Sequence, residues 1–277
     1  MLTRSSIAVI ALAAVLCTGA VQAHDESKYP DFTGQWKRPA GISNQFEGGR
    51  QRANTNAPLT SEYRAIFEAN LKDQAEGGQG TDPTITCIPD GMPRAMNVVL
   101  PMEIIIQPKT THMIIENLSM LRRIFTDGRD WPKDAEPAFM GYSIGKWIDE
   151  DDDGRYDVLE IETRNMKGPR SFDSSGLPLH VDNATVVKER IYLDKNNPDI
   201  LYDDITTIDN ALTRPWTVKK RYNREREPIW FETICAEGNG HVKIGTELYM
   251  LSADGILMPS KKDQTPPDLK YFKPEQK

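Results

Sequence analysis

From Glu103 to Leu251 the chain repeats one local pattern: short runs of β-branched, aromatic and alternating apolar residues, each closed by a turn-forming cluster. The runs are Glu103–Gln107, His112–Asn117, Leu121–Thr126, Tyr142–Ile148, Tyr156–Thr163, Thr185–Leu193, Ile200–Ile208, Trp216–Tyr222, Ile229–Cys235 and Thr246–Leu251. Pro108-Lys109-Thr110, Asp127-Gly128-Arg129 and Asn196-Asn197-Pro198 punctuate them as hairpin turns do. No helical period separates the runs, which argues against parallel βαβ units, and a sheet of this many strands has to hide its edges. The pattern predicts an all-β fold, an antiparallel meander closed into a barrel or a strongly curled sheet.

The segment before Glu103 reads differently. Asp31-Phe32-Thr33-Gly34-Gln35-Trp36 has the character of a first strand, followed by a polar loop rich in Gly, Asn and Arg to about residue 57. Pro58–Lys72 carries the one clear helical period: Thr60 or Ser61 can cap, and Tyr63, Ile66, Phe67 and Leu71 recur at three- and four-residue spacing. Gly77-Gly78 ends it, and Pro83, Pro89, Pro93 and Pro101 exclude regular structure beyond. The expected organisation is a signal peptide at 1–23, an N-terminal strand, loop, helix and Pro-rich segment at 24–102, a barrel domain at 103–260 and a tail at 261–277 that wraps the outside or frays.

Export is read from the first residues. Arg4 precedes an apolar run from Ile7 to Leu16, and Val21-Gln22-Ala23 satisfies the small-x-small rule of signal peptidase, so the mature chain is expected to start at His24. That run is too short to span a bilayer, and no later stretch is long and apolar enough, so no membrane span is expected in the periplasmic or secreted product. With Cys17 removed, Cys87 and Cys235 remain in an oxidising compartment and are expected to pair. Lys and Arg number 34 against 41 Asp and Glu, a net charge of −7, and no basic run is interleaved with aromatics; nucleic acid is not an expected partner.

Two resemblances bear on the fold. Gly34-x-Trp36 resembles the Gly-x-Trp that opens lipocalin-type barrels, where the indole plugs one end, which implies a lipocalin-like barrel. Over roughly residues 58–251, the blocks Leu121 to Arg129, Met140 to Trp147, Gly176-Leu177-Pro178, Lys188-Glu189-Arg190, Arg214-Pro215-Trp216-Thr217 and Cys235 to Asn239 occur in order. Together they resemble a family of exported bacterial proteins of uncharacterised function, which implies export and an all-β fold and leaves the chemistry open. Many members of that family have a His soon after the Leu-Pro; here His180 follows Leu179, one residue later.

The sharpest chemical signal is Asp149-Glu150-Asp151-Asp152-Asp153-Gly154-Arg155-Tyr156-Asp157-Val158-Leu159-Glu160. Acids at positions 1, 3, 5, 9 and 12 with Gly at 6 match the spacing of a calcium loop, in which oxygens converge from alternate residues. The candidate ligands are Asp149, Asp151, Asp153, Arg155, Asp157 and Glu160, and because the flanks read as strands the loop would sit at a hairpin tip in a structural role. The competing reading is a solvated acidic turn. The four histidines, His24, His112, His180 and His241, show neither HxH nor HExxH spacing, which disfavours zinc and non-haem iron.

His180 and Asp182 stand two apart before the strand carrying Glu189 and, if they enter it, face the same side, where they can serve as an acid/base pair. Of Arg122 and Arg123, alternation sends one inward and one outward. An inward Arg123 paired to Glu189 or Glu116 would anchor a ligand carboxylate or form a structural ion pair; Asp127 and Tyr142 complete the group of binding and catalytic candidates. Ser143 lacks the strand-turn-helix setting of a nucleophile elbow, and no P-loop or dinucleotide fingerprint occurs, so no nucleotide cofactor is expected.

These features predict a barrel handling a small apolar or aromatic molecule, with cofactor-independent acid/base chemistry of lyase, isomerase or hydratase type as the leading expectation. A carrier without turnover and an envelope structural protein are the alternatives, and the sequence names neither the ligand nor the oligomeric state.

Overall fold

The computed structural model describes residues 25–39, 46–47, 50–51, 56–97, 100–230 and 232–265; the expected signal peptide at 1–23, His24 and the tail beyond residue 265 lie outside the described residues. In chain order the strands are β1 (Gln35–Lys37), β2 (Phe46–Glu47), β3 (Arg50–Gln51), β4 (Met102–Gln107), β5 (Thr110–Ile115), β6 (Met120–Phe125), β7 (Tyr142–Ile148), β8 (Val158–Arg164), β9 (Val186–Leu193), β10 (Ile200–Ile208), β11 (Trp216–Glu225), β12 (His241–Ile244), β13 (Glu247–Leu251) and β14 (Leu257–Pro259), with helix α1 (Ser61–Ala75) and the single turn α2 (Cys235–Gly238).

The fold is an all-β barrel, closed in the order β1-β11-β10-β9-β8-β7-β6-β5-β4. Neighbours are antiparallel except β6 and β7, which pair in parallel at Ile124↔Ser143 and Phe125↔Ile144. A ring with an odd number of strands cannot alternate direction all the way round, and the 126–141 crossover supplies the one parallel step. Side chains alternate across the wall as the strand period requires. Met113, Ile124, Trp147, Leu159, Ile191 and Ile205 fill the inside as one continuous core. Gly145 belongs to that inward row, where a Cβ would meet Ile124 Cγ2 at 2.6 Å, so the close approach of β6 and β7 leaves room only for glycine.

Aromatic residues close one end. Trp36 is fully buried, donates from Nε1 to Phe32 O at 3.0 Å, and meets the Phe32 ring edge-on. Arg224 lays its guanidinium over the indole, 4.4 Å from the ring centroid, and donates to Asp31 O at 2.7 Å and Pro198 O at 2.9 Å. Tyr29 packs edge-on against Trp147 beside them.

The other end is covered by α1 and two loops. Thr60 caps the helix as expected, accepting from Tyr63 N at 3.4 Å. Tyr63 and Phe67 are buried against Phe172, Leu177, Leu212 and Trp216 in a second core. The expected apolar stripe is narrower than its sequence: Ile66 is 41% exposed, and Asn70 takes a buried place instead, donating to Ser175 O at 2.8 Å.

The C-terminal part departs from the sequence reading. Ile229–Cys235 is not a strand; Ile229 and Trp230 are exposed, and the segment ends in α2. The barrel also stops at Glu225 rather than near residue 260, because β11 already pairs with β1 and leaves no free edge to extend. β12, β13 and β14 form a separate three-stranded sheet. The Cys87–Cys235 disulfide, Cα to Cα 5.5 Å, ties the start of that region to the Pro-rich segment. Among the described residues no helix is long and apolar enough to cross a membrane.

Candidate functional site: the charged centre of the barrel

Ionisable side chains cross the barrel interior at its middle. Arg122 on β6 and Glu189 on β9 are both buried and meet as a fork: Arg122 Nη1 donates to Oε1 at 2.9 Å and Nη2 to Oε2. Arg122 Nη2 also donates to Thr163 Oγ1 at 2.9 Å, and Thr163 Oγ1 lies 2.8 Å from Ser143 Oγ. Every charge in this group has a charged or hydroxyl partner, which is the condition for holding an ion pair out of water.

One strand further round, Asp203 on β10 faces Lys220 on β11 in direct register, both pointing inward. The Asp203 carboxyl is fully buried, and among the described residues neither of its oxygens has a hydrogen-bond partner. Burial, reinforced by the nearby Glu189 carboxylate, holds its titration well above the usual carboxylate range. Lys220 makes no hydrogen bond or ion pair among the described residues; its ammonium points toward the Phe172 ring, 5.6 Å from the centroid. Burial, with Arg38 as the next cause, pulls the Lys220 amine down to about 8. Tyr222, two residues on, donates to Met96 O at 2.6 Å, and burial pushes its phenol up. An acid and an amine, each driven toward its neutral form and facing the same interior, are suited to proton exchange.

Of the residues nominated from the sequence, Glu189 alone lies in this centre. Arg123 does not point inward: it is exposed, and Arg122 takes the pairing with Glu189, because β6 places Met120, Arg122 and Ile124 on the inner face. Tyr142 lies on the outer face of β7, stacked on Phe125 at 5.0 Å and accepting from Arg129 Nη1 at 3.3 Å, while Ser143 faces inward. Asp127 is held in an exposed turn by Arg129, whose hydrogen bonds lower its carboxyl to about 2. Glu116 is buried at the turn after β5, where its backbone oxygen accepts from Thr233 Oγ1 at 2.7 Å.

His180 and Asp182 do come together, Nδ1 to Oδ2 at 3.0 Å, but in the loop before β9 rather than on the strand. They are part-exposed, with His180 against the Tyr63 ring on the helix-covered end, and Asn210 donates to Asp182. The pair therefore does not share an interior face with Glu189.

In the hairpin between β7 and β8, oxygens of Asp149, Asp151 and Asp153 lie within 4.8 Å of one another. Asp149 accepts from Asp153 N at 3.2 Å and from Gly154 N at 2.9 Å, and Arg155 N donates to Asp153 Oδ1 at 2.8 Å. Asp157 accepts from Glu150 N at 2.8 Å. Glu160 is not turned to this loop. It sits opposite Lys146 in the β7–β8 ladder, on the outer face, and pairs with Arg190 at 3.3 Å. The donor set is thus three convergent carboxylates without the bidentate acid that closes a high-affinity loop.

Asp203, Lys220 and Tyr222 were missed from the sequence, although each stands in an apolar alternation: Leu201-x-Asp203-x-Ile205 and Val218-x-Lys220-x-Tyr222. A charge at the inward phase of such a run is the signal that marks them. Comparison with known proteins adds nothing to this reading: no family model matches the chain, and no curated protein matches it.

Proposed function

We propose that this is an exported barrel protein that handles a small, largely apolar or aromatic molecule at its charged centre, by acid/base chemistry in which Asp203 holds the working proton. The observation that carries the reading is the Asp203 carboxyl, fully buried and without a hydrogen-bond partner among the described residues. Such a group costs about 1–3 kcal/mol when left unsatisfied, and strongly shifted acids and bases cluster where proteins do chemistry. The walls around it are apolar, with Leu201, Ile205, Ile191 and Val187 close by on β10 and β9. Arg122 is engaged by Glu189 and so is not a free anchor for a ligand carboxylate, which weighs against a simple carrier of organic acids.

Export rests on the Arg4 and Ile7–Leu16 leader and its Val21-Gln22-Ala23 site, with the Cys87–Cys235 bridge in keeping with an oxidising compartment. The blocks resembling an exported bacterial family support the same compartment. Calcium belongs to this proposal in a structural role, held by Asp149, Asp151 and Asp153 and stiffening the β7–β8 hairpin.

Native mass spectrometry of the mature protein purified from its own periplasm tests the reading. A co-purifying organic mass that is lost in Asp203→Asn supports it. A wild-type protein that carries no organic mass, and turns over none of a panel of small aromatic and apolar compounds, leaves the envelope structural reading ahead.

A further inference from the structure

The proposed function gives the working proton to Asp203 and leaves Lys220, the amine opposite it, without a bond to make. Lys220 is buried at 3% exposure, yet neither Asp203 opposite nor any other described acid pairs with it. The contrast with the next rung is direct: Lys219 and Asp204, also opposite one another but on the outer face, form an ion pair at 3.0 Å. A buried amine kept out of an ion pair is activated as a nucleophile by desolvation, and the carboxyl it faces can carry the protons that its reaction moves.

We propose that Lys220 forms an imine with a small aldehyde or ketone inside the barrel, with Asp203 as its proton partner. The inference rests on the charged centre being the ligand site and adds the substrate class to it. The lone pair of the neutral Lys220 Nζ attacks the carbonyl carbon. A C–N bond forms as the C=O π bond breaks, the oxygen takes the Asp203 proton, and the nitrogen returns one proton to Asp203. The carbinolamine hydroxyl then takes that proton, the C–O bond breaks, and water leaves. What remains is a protonated imine on Lys220 beside the Asp203 carboxylate, an ion pair in which each charge offsets the burial of the other. Water addition reverses each step, so no oxidant or reductant is needed.

The surroundings fit this chemistry. The groups whose charge acts on Lys220 are Asp203 from β10, Arg38 after β1 and Asp173 from the loop that carries Phe172. Asp203 and Asp173 favour the protonated amine, while burial and Arg38 oppose it and prevail. The phenol of Tyr222, on the same inner face of β11, is engaged by Met96 O and stays out of the transfer. The apolar wall suits an aromatic or short aliphatic carbonyl compound better than a sugar.

Reductive trapping tests the proposal on the intact wild-type protein. Benzaldehyde and sodium cyanoborohydride are added at pH 7, where hydride converts the protonated imine to a stable benzylamine, and occupancy at each lysine is read by peptide mass spectrometry. At that pH an amine titrating near 8 has about a hundredfold more free base than an ordinary lysine. Lys220 is therefore expected to label at least about tenfold faster than the exposed Lys188 and Lys243, and Asp203→Asn is expected to slow Lys220 without changing Lys188. Labelling of the surface lysines with Lys220 unmodified overturns the imine. If Lys220 is unmodified while an organic mass still co-purifies and depends on Asp203, the imine alone falls and the ligand site stands. If neither occurs, both fall.

Discussion

Asp203 and Lys220 stand opposite each other inside the barrel without pairing, whereas one rung away Asp204 and Lys219 pair on the outside at 3.0 Å. Burial raises the Asp203 carboxyl in the folded protein, so its contribution to stability is complete below the unfolded carboxyl value of about 3.9 and is lost as pH rises toward the folded value. Asp203→Asn removes that loss. Urea unfolding between pH 4 and 8 is expected to show the wild type weakening relative to Asp203→Asn, by about 1–3 kcal/mol at the upper end. Parallel pH profiles for the two proteins would mean that Asp203 is satisfied in solution.

The Arg122–Glu189 fork is expected to behave as a buried pair does. Glu189→Gln leaves a buried guanidinium short of its counter-charge and should cost about 3–5 kcal/mol. Replacing both partners, Arg122→Met with Glu189→Met, should cost clearly less than the single change, measured by chemical unfolding. Equal costs would show that the pair is set by packing and not by charge.

Trp36 and Arg224 close one end of the barrel as a unit. Trp36→Ala opens a cavity in the principal core and is expected to cost about 3–5 kcal/mol. Arg224→Met keeps the apolar cover but abandons the carbonyls of Asp31 and Pro198, for a loss of about 1–3 kcal/mol. A thermal unfolding series with the two changes combined should show less than the sum, since both act on the same plug.

The disulfide closes a loop with a sequence separation of 148 residues between Cys87 and Cys235. In the chain-entropy picture its removal costs up to about 5 kcal/mol. Because the barrel closes on β1 and β11 without the bridge, Cys87→Ser with Cys235→Ser should first release the C-terminal sheet. Limited proteolysis is expected to cut between residues 226 and 240 ahead of any cleavage within the barrel strands. Simultaneous loss of both would show that the sheet and barrel unfold together.

The hairpin loop gives a discriminating metal test. With three convergent carboxylates and Glu160 held by Arg190, calcium should bind with a dissociation constant of about 0.1–1 mM. Calorimetry should find binding abolished by Asp151→Asn and unchanged by Glu160→Gln. Loss of binding in Glu160→Gln would mean that the strand end rearranges around the ion.

Much of the architecture is legible in the residues. The turn-separated strand runs specify a barrel, Thr60 and its helical period specify α1, and Cys87 and Cys235 form the bridge expected of them. Ile229–Cys235 misleads because its apolar residues read as a strand, while the closed barrel offers no edge for it to join. His180 and Asp182 stand two apart in the chain and meet in the loop before β9, but their separation from Glu189 depends on where that loop packs, which is a long-range matter.

The centre of the barrel turns on three charged doublets: Arg122-Arg123, Asp203-Asp204 and Lys219-Lys220. Sequence by itself determined that each doublet, lying in a strand, sends one member inward and one outward, since consecutive side chains alternate faces. Apolar alternation gives the phase of Asp203 and Lys220, as in Leu201-x-Asp203-x-Ile205 and Val218-x-Lys220-x-Tyr222, but it does not say which strands bring the inward members together. Tertiary structure decided the meeting. Closure of the sheet and the pairing of neighbouring strands placed Arg122, Asp203 and Lys220 together inside, and left Arg123, Asp204 and Lys219 to water.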